Sequence, residues 1–324
     1  MVKYALLIGS NYTATPSAQL SGCINDIVNM RNMLIDSYGY LASNITMLRD
    51  DDRSRLPTKA NILAAIANNI AKSGAADTLW IHYSGHGTQI RATDAYEPDG
   101  LDECIVPCDY NTKGVIDDNA LFNLIRAAKC KLIMCFDSCH NGTVCDLQYS
   151  INYNNGALGV IVNNPKRIAN SNIIMLSGSR DAQTSSDAYN TYSKQSGGAF
   201  TITLAETLRG YDHNVDLLTL YKSICSNLKQ MGFTQIPVLS SSIATPSYQF
   251  TRANSNDSSL VKPASASSSP MSPVSPVRDL VETMALTTST KPLLSFTSTT
   301  VSSALFPTYR VSGKVTTMNG LFSR

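Results

Sequence analysis

The sequence predicts an α/β fold, with a mainly parallel central sheet and helices on both faces. Three observations carry this reading. Short aliphatic runs recur at Tyr4–Ile8, Asn44–Leu48, Thr78–Tyr83, Lys131–Phe136 and Ile173–Ser177, each bounded by polar residues as buried strands are. Most of the segments between them repeat apolar residues at three-and-four spacing, which is the helical period. Strands alternating with helices of this length build parallel sheets covered on both sides.

The elements follow in order. Met1 to Gly9 has one basic residue and an apolar run too short for a signal peptide, so it reads as the first strand. A polar loop then leads to a helix carrying Ile27, Met30, Met33 and Leu34, stopped at Gly39, where a left-handed cap suits glycine. Arg49 to Arg53 reads as a solvated charged turn. Thr58 is a good N-cap for a helix carrying Ile62, Leu63, Ile66 and Ile70. After the Thr78–Tyr83 strand comes an acid-rich loop with Asp94, Glu97, Asp99, Asp102, Glu103 and Asp109. Asp117 and Asp118 then open a helix over Asn119–Lys129, a placement that suits the helix dipole. Gln148–Pro165 is Asn-rich and reads as an exposed connection. Further helices are expected from Gly197-Gly198 through Leu208 and over Val215–Met231. Gln235–Leu239 is a last strand, and Pro237 predicts a short or edge position for it.

The 324 residues suffice for one large domain or two. Charged residues make up 15% and the net charge is +2, so neither nucleic acid nor an anionic membrane is expected as a partner. No apolar run reaches the roughly 18 residues of a membrane span. The eight cysteines show no regular framework, which fits reduced thiols in a cytoplasmic protein. Cys104 and Cys108 lack the second pair or spaced histidines that a zinc site needs. Beyond about Thr251, Ser, Thr and Pro dominate and periodicity vanishes, so residues 251–324 are expected to be a disordered tail.

Chemistry gathers at two strand ends. One strand runs into His82-Tyr83-Ser84-Gly85-His86-Gly87 and another into Asp137-Ser138-Cys139-His140-Asn141-Gly142. If both strands are parallel in one sheet, His86 and Cys139 emerge on the same carboxyl-end rim, where open α/β sheets bind ligands. A thiol beside an imidazole is the minimal nucleophile-base pair, with the thiolate as the attacking species. Backbone N–H groups at Gly87 and Cys139 could converge on the oxyanion of a tetrahedral intermediate. A cysteine phosphatase would need an arginine six residues after its nucleophile, where this chain has Cys145. No G-x-S-x-G elbow occurs, which speaks against a serine α/β-hydrolase. His82 lies within its strand and reads as a core residue. His140 adjoins Cys139 in sequence, and is therefore expected to point elsewhere.

At these residues the chain resembles the metacaspases, the caspase-like cysteine peptidases. HYSGHG and DSCH-x-G are the family's paired signatures, with Asn141 in place of the family's usual serine. The segments Leu176 to Asn190 and Gly197 to Thr201 are also similar, and the likeness spans roughly Lys3 to Ser242. It implies a caspase-like sandwich over residues 1–250, with a large-subunit-like part over about 1–165 and a small-subunit-like part over about 170–250. Because the first strand begins almost at Met1, a core without an N-terminal prodomain is expected, and a monomer. The positions matching the family's first specificity pocket are Cys23, Asp26, Ser84 and Asp137. Two carboxylates there would attract Arg or Lys in a protein or peptide substrate and repel an acidic side chain. The resemblance also implies a calcium site at Asp102, Asp117, Asp118 and Asp146, and Ca2+ suits carboxylates drawn from several loops. A catalytically silent scaffold of the same fold is the alternative, although such proteins commonly lose one member of the pair.

Overall fold

The computed structural model describes residues 1–92, 100–139, 144–154, 156–163, 167–178, 187–190, 195–253, 309–311 and 314–316. The chain divides into two compact units. The first comprises Met1–Ser258 with Asn319–Arg324, and the second Ser259–Met318.

In chain order the first unit contains β1 (Lys3–Gly9), α1 (Cys23–Tyr38), β2 (Ile45–Arg49), α2 (Lys59–Lys72), β3 (Thr78–Ser84), β4 (Gly87–Arg91) and β5 (Leu101–Ile105). The short α3 (Tyr110–Lys113), β6 (Ile116–Asp117), α4 (Asp118–Ile125), β7 (Lys131–Asp137), β8 (Tyr149–Asn154), β9 (Ala157–Val162) and β10 (Ile173–Ser177) follow. The rest is β11 (Asp187–Asn190), β12 (Gln195–Gly198), α5 (Ala199–Gly210), β13 (Val215–Asp216), α6 (Leu217–Gln230), β14 (Val238–Ser241) and β15 (Gln249–Phe250).

Eight strands form the central sheet in the order β2-β1-β3-β7-β10-β14-β8-β9. The first five are parallel and the last three antiparallel to their neighbours. Side chains alternate between faces along a strand, and the two cores record this. Ala5 and Leu7 of β1 pack with Ile27, Met30 and Leu34 of α1 and with residues of α5 and α6. Leu6 and Ile8 of the same strand pack on the other face with Ile62, Ile66 and Ile70 of α2 and Leu121 and Ile125 of α4. A strand buried on both faces needs apolar residues at every position, which is why β3 and β7 read as continuous runs.

The expected caps are present. Gly39 ends α1 with φ +69°, donating to the Leu34 carbonyl, and the Thr58 hydroxyl accepts from Asn61 N at 3.2 Å to start α2. One expectation fails and one boundary shifts. The Gln148–Pro165 stretch is not a loose connection but the hairpin β8–β9, which extends the sheet. Residues 155 and 156, Asn-Gly, separate two pairing runs in register Asn154 with Ala157, and Gly156 has φ +87°. Asn-Gly is the two-residue hairpin signal, masked here by the polar composition around it. The last strand, β14, is short, as Pro237 predicts, with four residues; it lies inside the sheet, because Pro237 precedes it and β8 covers its other side. The helix expected over Asn119–Lys129 is the shorter α4.

Among the described residues no helix is long and apolar enough to cross a membrane. All eight cysteines are free thiols. The chain stays anchored to residue 253, where Ala253 N donates to the Ser37 carbonyl at 2.8 Å. Of the second unit, a two-stranded antiparallel hairpin is described, β16 (Tyr309–Val311) with β17 (Lys314–Thr316). The expectation of disorder for the tail otherwise lies outside the described residues, as do His140, Asn141, Gly142, Asp94, Glu97 and Asp99.

Candidate active site

The sheet register sets the site. Gly9, Ser84 and Asp137 are in-register partners at the carboxyl ends of β1, β3 and β7. His86 and Cys139 each follow two residues beyond that level, on adjacent parallel strands. Gly87 joins the two loops. A Cβ at position 87 would overlap the Cys139 carbonyl oxygen and come within 3.1 Å of Ser138 Oγ. Both His86 and Cys139 are buried, the latter completely.

The imidazole is held on one side by a backbone carbonyl. His86 Nε2 lies 2.8 Å from the oxygen of Ala18, at the end of the short 3-10 turn Pro16–Ala18. A carbonyl can only accept, so Nε2 carries the proton and Nδ1 the basic lone pair. Replacing Gly87 with alanine is expected to cut any peptide-hydrolysing activity by about a hundredfold, since a 1 Å misplacement near a reacting centre costs that much. Turnover and thermal unfolding measured side by side check this: a folded variant at more than half the wild-type rate would contradict the close approach.

The four pocket positions come together. Ser84 Oγ donates to Asp26 Oδ2 at 2.6 Å, and Gly198 N donates to both Asp26 oxygens at 3.1 and 3.0 Å. Asp137 Oδ2 accepts from Thr201 N at 2.8 Å, in the first turn of α5. Asp137 thus caps that helix from a neighbouring strand, a use of the carboxylate that the dipole favours. Gly197 and Gly198 thread between the two acids. A Cβ on Gly197 would meet Asp26 Oδ1 at 2.5 Å, and one on Gly198 would overlap the Asp137 carboxylate. Cys23 opens α1 beside them, its N–H donating to Asn11 Oδ1 at 3.0 Å. His82 is a core residue as expected: fully buried, 3.2 Å from Thr201 Oγ1 through Nε2, and pulled down to about 4 by burial, with Asp137 opposing.

The candidate calcium ligands lie along the small sheet β4-β5-β6 and the segment after β7. Asp102 sits on β5, Asp117 ends β6 and Asp118 begins α4, while Asp146 adopts φ +50°. Asp118 is buried, accepting from Glu103 N at 2.8 Å and from Asn119 N at 2.6 Å. Burial first, then Asp146, and then Asp102 push its carboxyl up to about 8. Asp117 spends one oxygen on capping α4, accepting from Ala120 N at 2.7 Å. Among the described residues no three His, Cys, Asp or Glu side chains are close enough to hold a metal ion as they stand. The donor set nevertheless fits calcium in kind: all oxygen, largely buried, and mutually repelling without a cation.

Sequence reasoning passed over Asn11, Tyr12 and Asp50, which support the site from outside the motifs, and the wedging of Gly197 and Gly198. The paired glycines were visible, but the carboxylates that leave no room for side chains were not.

Comparison with known proteins places this geometry. Residues 3–148 match the family model described as metacaspase, peptidase C14 domain. The chain is 46% identical over 152 residues to Metacaspase-1 of Cryptococcus neoformans var. neoformans serotype D, covering 45% of this chain and 33% of that protein. It is 33% identical over 264 residues to Metacaspase-3 of Trypanosoma cruzi, covering 74% of this chain and 70% of that protein. Among solved structures, a Geobacter sulfurreducens protein superposes with a TM-score of 0.53 at 21% identity, over 81% of this chain and 97% of that one. The chain therefore spans only a third of the length of the first of these relatives.

Proposed function

The chain belongs to the metacaspase family, and from that premise we propose that it is a calcium-dependent cysteine endopeptidase cutting proteins after Arg or Lys. The carrying observation is the contact of Gly87 with the Cys139 backbone, which brings the base-bearing and nucleophile-bearing loops together on one rim. In this reading His86, its tautomer fixed by the Ala18 carbonyl, takes the Cys139 thiol proton at Nδ1. The thiolate attacks the scissile carbonyl to give a thioacyl intermediate, and backbone N–H groups at Gly87 and Cys139 receive the oxyanion. His86 then returns the proton to the leaving amine. Asp26 and Asp137, both buried at the rim, draw the substrate's basic side chain.

Calcium, when bound, would neutralise the repelling carboxylates of Asp102, Asp117, Asp118 and Asp146. These residues would have to draw closer to form a cage. The protein would work as a monomer in the cytoplasm, with no role for nucleic acid or membrane.

The test is turnover of paired peptides ending in Arg or Asp, with and without calcium. Hydrolysis of the Arg peptide alone, abolished by chelator, is the expected result. Magnesium is expected to substitute poorly, since it demands a tight octahedron and dehydrates reluctantly. Asp118→Ala is expected to raise the calcium needed for half-maximal rate by about tenfold or more, as loss of one charged oxygen ligand weakens such sites. Calorimetry on Cys139→Ala separates binding from self-cleavage: no calcium heat there, with chelator-resistant wild-type turnover, would remove the metal from the mechanism.

A further inference from the structure

The loop before α1 carries a residue that no motif contains. Tyr12 is fully buried and adopts φ +54°, the left-handed region that a bulky residue rarely enters. Its ring lies 4.7 Å from that of His86, tilted by 36°. Its hydroxyl accepts from His86 N at 2.9 Å and donates to the Val106 carbonyl at 2.7 Å. Tyr83 completes the arrangement, its hydroxyl donating to the His86 carbonyl at 2.7 Å. One phenol therefore grips both the backbone and the ring of the candidate base.

A second, independent feature holds Tyr12. Asp50 in the loop after β2 accepts from Asn11 N with one oxygen and from Thr13 N with the other, each at 3.0 Å. These are the amides immediately before and after Tyr12. The carboxylate thus clamps the backbone on both sides of the left-handed residue. Backbone strain at a single position persists when its surroundings over-determine it, and such positions cluster at functional sites. The Asn11 side chain accepts from Cys23 N, so the same three residues also reach the start of α1. Burial pushes the Tyr12 phenol far above its ordinary range, so it stays protonated as a donor.

We propose that Tyr12, clamped by Asp50, is the positioning residue that fixes the His86 imidazole for proton transfer with Cys139. This rests on the peptidase reading for its consequence and for the first of its two assays, but not for the second. The charged turn at Arg49–Arg53 is therefore more than a solvated connection. Asp51 pairs with Arg49 and Asp52 receives Ser54, while Asp50 turns inward.

The experiment compares Tyr12→Phe and Asp50→Asn with wild type in two assays. The first is steady-state hydrolysis of an Arg-ending peptide. The second is alkylation of Cys139 by iodoacetamide at neutral pH, which reads the paired thiolate without any substrate. Tyr12→Phe keeps the ring but lets the backbone grip go. It is expected to lower kcat by about ten- to a hundredfold with KM changed less than about threefold, and to slow alkylation in step, as misorientation of a catalytic group does. Asp50→Asn retains one of the two acceptors and is expected to give a smaller change in the same direction. If Tyr12→Phe does not fold, Asp50→Asn decides. Rates within twofold of wild type in both assays, in a folded variant, overturn the inference. Slowed alkylation in variants of a wild type that hydrolyses no peptide would leave Tyr12 in place and sink the peptidase reading.

Discussion

Cys139→Ala is expected to lower peptide hydrolysis by at least about three decades, because a covalent nucleophile and its base act as one unit. His86→Ala is expected to cost nearly as much, and the double variant little more. The fold should survive. Cys139 is fully buried, and trading a thiol for a methyl in such a place removes one heavy atom from packing, a loss of about 1 kcal/mol. Thermal unfolding within a few degrees of wild type, beside the lost activity, is the full expected result. A Cys139→Ala protein retaining more than about a hundredth of wild-type turnover would show that the nucleophile lies elsewhere, since a covalent nucleophile is worth far more than that.

The second large effect concerns specificity. Asp26→Asn and Asp137→Asn are each expected to lower kcat/KM for Arg- and Lys-ending peptides by about ten- to a hundredfold, because a charge-assisted hydrogen bond contributes roughly 1.5–3 kcal/mol. Asparagine is the informative replacement. It removes the charge but leaves an oxygen to accept from Gly198 N or Thr201 N, so the start of α5 stays attached. Alanine at position 137 would also remove that cap, at a further cost of about 1 kcal/mol in stability. Asp-ending peptides should remain poor substrates throughout. A wild-type profile favouring Asp or large apolar residues would remove Asp26 and Asp137 from substrate recognition and leave them as anchors of the helix.

Local rules carried much of this molecule. Continuous apolar runs located the five parallel strands and period-3.6 patterns the main helices, because most of these strands are buried on both faces and most of the helices on one. Gly39 and Thr58 were legible as caps, since a cap is chemistry within a few residues of the helix it serves. The motif order at His86 and Cys139 was legible too, and with it the pair on which the proposed mechanism turns.

Tertiary structure decided what local pattern could not. The Tyr12 clamp joins residues 39 apart at Asn11 and Asp50, and the pocket joins residues 172 apart at Asp26 and Gly198. No periodicity encodes such pairs; they exist only after the sheet has aligned its carboxyl ends. The hairpin β8–β9 gave β14 a neighbour on its far side, so a proline that argued for a short or an edge strand sits at the mouth of a short interior one. Asp118 shows the same division. Its place at a helix start was readable from sequence, but the rise of its carboxyl to about 8 comes from burial beside Asp146 and Asp102, which the folded chain brings near. The sequence by itself determined which residues are capable of the chemistry. The folded chain determined which of them meet, because burial and proximity belong to contacts between distant segments.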